Sequence, residues 1–285
     1  MLGAIEAGGT KFVCAVSDDD LNIIEKITIP TTTPEETFGE VFNFFDRFKL
    51  RGIGIGSFGP IDVNPQSKTY GYITSTPKRL WRDTDFVGAF EERYKIPVGW
   101  NTDVNAAALG EVTLGAAKDK KSCVYITVGT GVGGGAIING ETLTGYGHPE
   151  MGHIYPPRHS KDTYEGFCDY HGDCLEGLAA GPAIEARYGI KAEHLSADHE
   201  AWEIEAHYLA HAAMSYTMTL SPDCIIFGGG VMQQKHLIAL LREKFEEILN
   251  DYVALPPIEE YIMATGLEDE SGILGSLLLA KQALN

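Results

Sequence analysis

Four residues between positions 153 and 174 have the types and spacing of a metal site. His153, Cys168, His171 and Cys174 read H-x14-C-x2-H-x2-C. Two imidazoles and two thiols with two-residue gaps suit tetrahedral zinc, and four protein ligands close the site, so its chemistry is structural rather than catalytic. His148, His159 and Cys224 compete for a ligand place. A second group is Asn101-Thr102-Asp103-Val104-Asn105. A carboxylate with two amides close by could hold a sugar hydroxyl and take its proton, although Asp and Asn are also the preferred helix N-caps. Three glycine-rich turns complete the set: Ala7-Gly8-Gly9-Thr10-Lys11, the GTGVGGG run from Gly129 through Thr130 and Gly131, and Gly228-Gly229-Gly230. Glycine carries no side chain to block an anion, and successive N–H groups in such turns form anion nests. Any one turn alone reads more readily as a plain hairpin; two strand–turn–strand units opening the two halves, with a third glycine run ending a later strand, favour the anion reading. Glu6 stands beside the first turn and would repel a phosphate there unless a cation lay between them; Mg²⁺, through its waters, reconciles the two.

Two other glycine patterns mislead. Gly54, Gly56 and Gly59 spell G-x-G-x-x-G, as do Gly129, Gly131 and Gly134, but Pro60 follows the first and a strand the second, where a dinucleotide fingerprint needs a helix. There is no P-loop motif and no protein-kinase signature. His207 and His211 lie one helical turn apart without the Glu or the third ligand of a zinc protease, and read as ordinary helix residues.

The elements that must position these residues alternate. Leu2–Glu6 and Lys11–Ser17 read as strands around the first glycine turn, and Ile23–Ile29 as a third. Thr33 and Pro34 open a helix whose Phe38, Val41, Phe42, Phe45 and Phe48 keep helical spacing. A short strand over Gly52–Ser57, a helix over Phe86–Tyr94, a strand over Val98–Trp100 and an Ala-rich helix over Asp103–Gly115 follow. A second cycle begins with strands at Cys123–Val128 and Gly133–Ile138. Residues 145–178 lack periodicity, and a loop of ~30 residues needs a staple, which the metal cluster would provide. Helices over Ile204–Leu220, His236–Leu249 and Ile273–Leu284 surround a strand at Cys224–Phe227. The two halves duplicate an architecture without repeating a sequence. The boundary falls near the KDKK run, giving residues 1–117 and 118–285, with the last helix packing back on the first half.

Lys plus Arg is 22 against 40 Asp plus Glu, a net charge of −18 over 285 residues. That balance opposes nucleic-acid and anionic-membrane binding, so an anion site must be built locally. No apolar run reaches transmembrane length and the N-terminus lacks a signal-peptide pattern, so the expected compartment is the cytoplasm. Five cysteines, an odd number, argue for thiols or a metal rather than disulfides.

Taken together, EAGGTK at 6–11, GIGSFGPID at 54–62, NTDVNAA at 101–107, GTGVGGG at 129–135, HPEMGH at 148–153, CDYHGDCLE at 168–176 and GGG at 228–230 resemble the ROK family of sugar kinases, and most of all its zinc-containing bacterial fructokinase branch. The resemblance runs nearly end to end. It implies an α/β, two-domain actin/hexokinase-like (ribonuclease H-like) fold with a zinc-stapled insertion, and ATP-dependent phosphorylation of a hexose, D-fructose first. It gives Asp103 the role of general base. Asn101, Glu150 and His153 would lie by the sugar, with His153 also on zinc. Gly8, Gly9, Thr10, Lys11, Gly129, Thr130 and Gly131 would hold the ATP phosphates; Gly228, Gly229 and Gly230 with Pro182 would line the adenosine. Where Glu6 stands the family usually has Asp, and Phe58 stands where Pro is common, beside the sugar. The partners implied are a hexose, ATP and a second copy of the chain. Alternatives are a glucose, mannose or N-acyl-hexosamine kinase, an ATP-driven activator, and a sugar-responsive repressor, which would need a DNA-binding helix pair ahead of Glu6.

Overall fold

The computed structural model describes every residue from Met1 to Asn285. The chain divides into two compact units, one of Met1–Thr113, Thr142–Pro149 and Asp269–Asn285, the other of Leu114–Glu141 and Glu150–Glu268. The last helix therefore belongs with the first unit, and so does an eight-residue segment ending at Pro149.

The first unit holds strands β1 (Leu2–Ala7), β2 (Lys11–Ser17), β3 (Ile23–Pro30), β4 (Gly52–Ser57), the short β5 (Tyr72–Ile73) and β6 (Thr84–Asp85), and β7 (Val98–Thr102). Its helices are α1 (Pro34–Phe45), α2 (Phe86–Tyr94), α3 (Asp103–Leu114) and the C-terminal α9 (Ser271–Gln282). The main sheet runs β3-β2-β1-β4-β7, antiparallel through the first three strands and parallel from β1 to β7. Strand alternation sorts β1 cleanly: Ile5 and Ala7 enter an aromatic core, while Leu2 and Ala4 face α9. In that core the Phe38 and Phe86 rings pack tilted at 45° with centroids 4.8 Å apart, and the Trp81 indole N–H donates to the Thr32 carbonyl at 2.8 Å. α1 begins as its sequence requires, with the Thr33 hydroxyl accepting from Glu36 N–H.

The glycines of GIGIGS are packing residues. A Cβ on Gly54 would lie 1.8 Å from the Ser276 carbonyl, and one on Gly99 would lie 2.3 Å from that of Leu279. Only bare backbone lets α9 lie this close to β4 and β7, which is why the G-x-G-x-x-G pattern occurs here without a nucleotide.

The second unit repeats the layout. Its strands are β8 (Cys123–Val128), β9 (Val132–Ile138), β10 (Glu141–Thr142), β11 (Cys224–Gly228) and β12 (Ile262–Ala264), in the order β10-β9-β8-β11-β12. β8–β9 is antiparallel, and β8–β11 and β11–β12 are parallel, as in the first sheet. Helices α4 (Leu175–Ala179), α5 (Gly181–Tyr188), α6 (Ala201–Leu220), α7 (Leu237–Leu249) and α8 (Ile258–Tyr261) complete it. Periodicity did not reveal α4, α5 or β12: they have five, eight and three residues, too few for a period to show.

Candidate active site

In the first unit the glycine turn and the carboxylates sit at the same end of the sheet. Gly8 N–H donates to the Lys11 carbonyl at 3.0 Å, closing the β1–β2 turn. The turn is pinned from β3's end: Thr31 N–H donates to the Thr10 carbonyl at 3.0 Å, and the Thr31 hydroxyl to the Gly8 carbonyl at 2.7 Å. The N–H groups of Gly9 and Thr10 have no protein acceptor, which is what an anion nest needs. Thr10 and Lys11 are exposed.

β7 ends in Asn101-Thr102 and α3 starts at Asp103. The cap is divided among neighbours: the Thr102 hydroxyl accepts from Asn105 N–H at 3.1 Å, and Asn101 Oδ1 accepts from Thr102 N–H and from the Asn105 amide at 2.9 and 2.7 Å. The Asn101 side-chain oxygen is thus committed to shaping the helix start, and its NH2 group is not part of the cap. Asp103 Oδ1 accepts from Val104 N–H at 2.9 Å and is otherwise left by the cap. Burial pushes the Asp103 carboxyl up to about 6, against the pull of the backbone N–H groups of Val104 and Asp103. Glu6 follows Leu2 and Ala4 on the α9 side of β1, and a Cβ on Gly272 would lie 2.5 Å from its Cδ. Burial, then the charge of Asp103, push Glu6 up to about 7, with Lys11 opposing. Neither shift is legible in sequence, because each depends on what packs over the carboxylate.

In the second unit three distant glycine segments converge. Gly129 N–H donates to the Gly131 carbonyl and Gly181 N–H to the Gly129 carbonyl, each at 2.8 Å, and a Cβ on Gly129 would lie 4.0 Å from Gly230 N. Thr130 is the exposed tip of that turn. Pro182 occupies the first turn of α5 beside it. Gly228 lies against Tyr125 and Thr265, and Gly229 takes a φ of 92° close to Val128. Sequence reasoning missed Glu176. Its Oε2 accepts from Val132 N–H at 3.1 Å and stands where a Gly131 side chain would be, putting a carboxylate against the second glycine turn. The one sequence signal is its place in the first turn of α4, two residues after Cys174.

The insertion brings His153, Cys168, His171 and Cys174 together, with their ligand atoms all within 4.8 Å of one another. A tetrahedron with Zn–N near 2.05 Å and Zn–S near 2.3 Å has edges of about 3.3 Å between nitrogens and about 3.6 Å between nitrogen and sulfur. The two Nδ1 atoms are 3.2 Å apart, His153 Nδ1 is 3.4 and 3.7 Å from the sulfurs of Cys174 and Cys168, and His171 Nδ1 is 3.7 Å from that of Cys168. These residues fit zinc. Burial pushes the Cys174 thiol up to about 12, so a cation is what would let the sulfur carry charge. The three competitors lie elsewhere: His148 Nε2 accepts from Ile61 N–H, His159 Nδ1 from Lys161 N–H, and Cys224 is buried in β11. His207 packs between His159 and His211 and bonds the Pro157 carbonyl. The turn before the cluster is tightly seated: a Cβ on Gly152 would lie 1.7 Å from the Val132 carbonyl, and the Tyr216 hydroxyl donates to the Met151 carbonyl at 2.7 Å. Glu150, at the start of that turn, is exposed, and its carbonyl accepts from His153 N–H.

Two five-stranded sheets of matching order, each with a glycine turn in its first hairpin, define a hexokinase-like α/β protein. A ROK hexokinase from Thermus thermophilus superposes with a TM-score of 0.80 at 28% identity, covering 99% of this chain and 98% of that one. The ROK family model matches residues 2–283, and the chain belongs to the ROK family. A fructokinase of Streptococcus mutans is 50% identical over 288 residues, 99% of this chain and 98% of that protein. A fructokinase of Lactococcus lactis subsp. cremoris is 50% identical over 281 residues, 98% and 96% of the two chains.

Proposed function

We propose that this protein transfers the γ-phosphoryl group of ATP to the primary hydroxyl of D-fructose, giving D-fructose 6-phosphate. The observation that carries the chemistry is Asp103, a carboxylate at the first turn of α3 that burial holds at about 6. Such a group is ionised at neutral pH yet basic enough to accept the proton of the attacking hydroxyl, help worth roughly 10²–10⁴-fold. Half identity over the full length to fructokinases selects fructose among hexoses. Asn101, Glu150 and His153 are assigned to the sugar side. Gly8, Gly9, Thr10, Lys11, Gly129, Thr130 and Gly131 are assigned to the phosphates, and Pro182 with Gly228, Gly229 and Gly230 to the adenosine.

His153, Cys168, His171 and Cys174 would hold zinc, ordering an insertion that has no periodic core of its own. Glu6, whose burial beside Asp103 is unfavourable for a second negative charge, fits the neighbourhood of a cation, and Mg²⁺ bound there through water would neutralise phosphoryl charge. A cytoplasmic homodimer belongs to the same proposal. No helix is long and apolar enough to cross a membrane, none of the five cysteines forms a disulfide, and sedimentation tests the dimer.

The deciding experiment is a coupled ADP-release assay across fructose, glucose, mannose and N-acetylmannosamine. Fructose should show the highest kcat/KM, by at least about tenfold. A higher value for any other sugar refutes the assignment of substrate, and ADP release without sugar dependence refutes the kinase.

A further inference from the structure

We propose that Lys78 is a second phosphoryl-binding lysine, reaching over the first glycine turn to stabilise the charge of the group being transferred. The proposal rests on the kinase reading above. A Cβ added to Gly9 would meet Lys78 Cε at 2.9 Å and Nζ at 3.7 Å, so the lysine's stem lies on the turn whose Gly9 and Thr10 N–H groups have no protein acceptor. In a chain with 40 acidic and 22 basic residues, the Lys78 ammonium is exposed and makes no ion pair. A lysine ammonium and two neighbouring backbone N–H donors on one turn are the donor set that binds a phosphate-sized anion.

The loop that carries Lys78 is tied to the same segment as the turn. Lys78 N–H donates to the hydroxyl of buried Thr76 at 3.3 Å, and the Lys78 carbonyl accepts from Trp81 N–H at 2.8 Å. The Trp81 indole in turn bonds Thr32, and Thr31 bonds both Thr10 and Gly8. Backbone and turn are therefore fixed to neighbouring residues of one strand end, while the four-carbon arm stays free to follow the phosphoryl group. Lys11, the first, divides its charge: it also acts on Glu6, whose carboxyl it holds down against burial. A phosphoryl group in flight spreads its charge over three equatorial oxygens, so a mobile point charge gains most in the transition state and should appear in kcat.

The test is steady-state kinetics of Lys78→Met, Lys78→Gln and Lys78→Arg, varying fructose and ATP separately, with Arg79→Met as a neighbour that loses one charge from the same loop. We expect both neutral variants to lose at least about 30-fold in kcat with fructose KM within about threefold and unchanged thermal midpoint. Lys78→Arg should regain part of the loss, and Arg79→Met should stay within about threefold of wild type. The proposal is overturned if the neutral variants keep more than about a third of kcat, if only fructose KM changes, if Arg79→Met loses as much, or if both neutral variants unfold. A wild-type protein that phosphorylates no hexose refutes the kinase reading itself, and is seen before any variant is made.

Discussion

Replacing Asp103 by Asn tests whether this carboxylate is kept for chemistry or for capping, because the two roles predict opposite signs. Its carboxyl lies at about 6 in the folded protein against an ordinary 3.8. Roughly two units at 1.36 kcal/mol each mean that keeping it ionised costs the fold about 3 kcal/mol above pH 6. The unfolded state ionises first, so wild-type stability falls as pH rises from about 4 to about 6, and Asn, which never ionises, escapes the loss. D103N should therefore be more stable than wild type by up to about 3 kcal/mol at pH 8, shrinking below about 1 kcal/mol at pH 4. Relief of Glu6, which the Asp103 charge holds up, acts in the same direction. Urea unfolding at the two pH values measures this, and coupled ADP release should show kcat down by about 10²–10⁴-fold with ATP binding retained. In the wild type, kcat/KM should fall about tenfold per unit below pH 6, as the base takes up its proton. A D103N protein that is less stable at pH 8 would make Asp103 a cap. Residual kcat above a few per cent would remove it as the base.

Metal analysis of protein purified without added metal should find about one zinc per chain. Chelation or Cys174→Ser should raise fructose KM at least about tenfold, or ~1.4 kcal/mol, while ATP KM stays within about threefold, because Glu150 and His153 flank the seated Met151-Gly152 turn; equal losses for both substrates would contradict this. Gly54→Ala puts a Cβ 1.8 Å from the Ser276 carbonyl and should cost at least about 3 kcal/mol, read as a lowered Tm; an unchanged Tm would mean that α9 is free to lift off β4. Arg187→Met leaves Asp162, paired to Arg187 at 2.8 Å with both side chains buried, holding an uncompensated charge, and should cost about 3–5 kcal/mol in chemical unfolding; a loss under about 1 kcal/mol would show that water reaches the site.

What the sequence determined by itself is local. Strand alternation, the Thr33 cap and the glycine turns depend on neighbours a few residues away, and the H-x14-C-x2-H-x2-C spacing is so restrictive that the grouping of these two histidines and two cysteines could be read before any coordinate. Tertiary structure decided what distance along the chain conceals. That GIGIGS is a bed for α9 depends on a helix more than 200 residues later, and the meeting of Gly129, Gly181 and Gly230 depends on three separate loops. Glu176 gained its place beside Gly131, and Lys78 its place over Gly9, only when folding brought their backbones to those turns. The proton affinities of Glu6 and Asp103 belong to the same class. A carboxylate's charge is expensive in proportion to the water removed from it, and burial is a property of everything packed around the residue rather than of the residue.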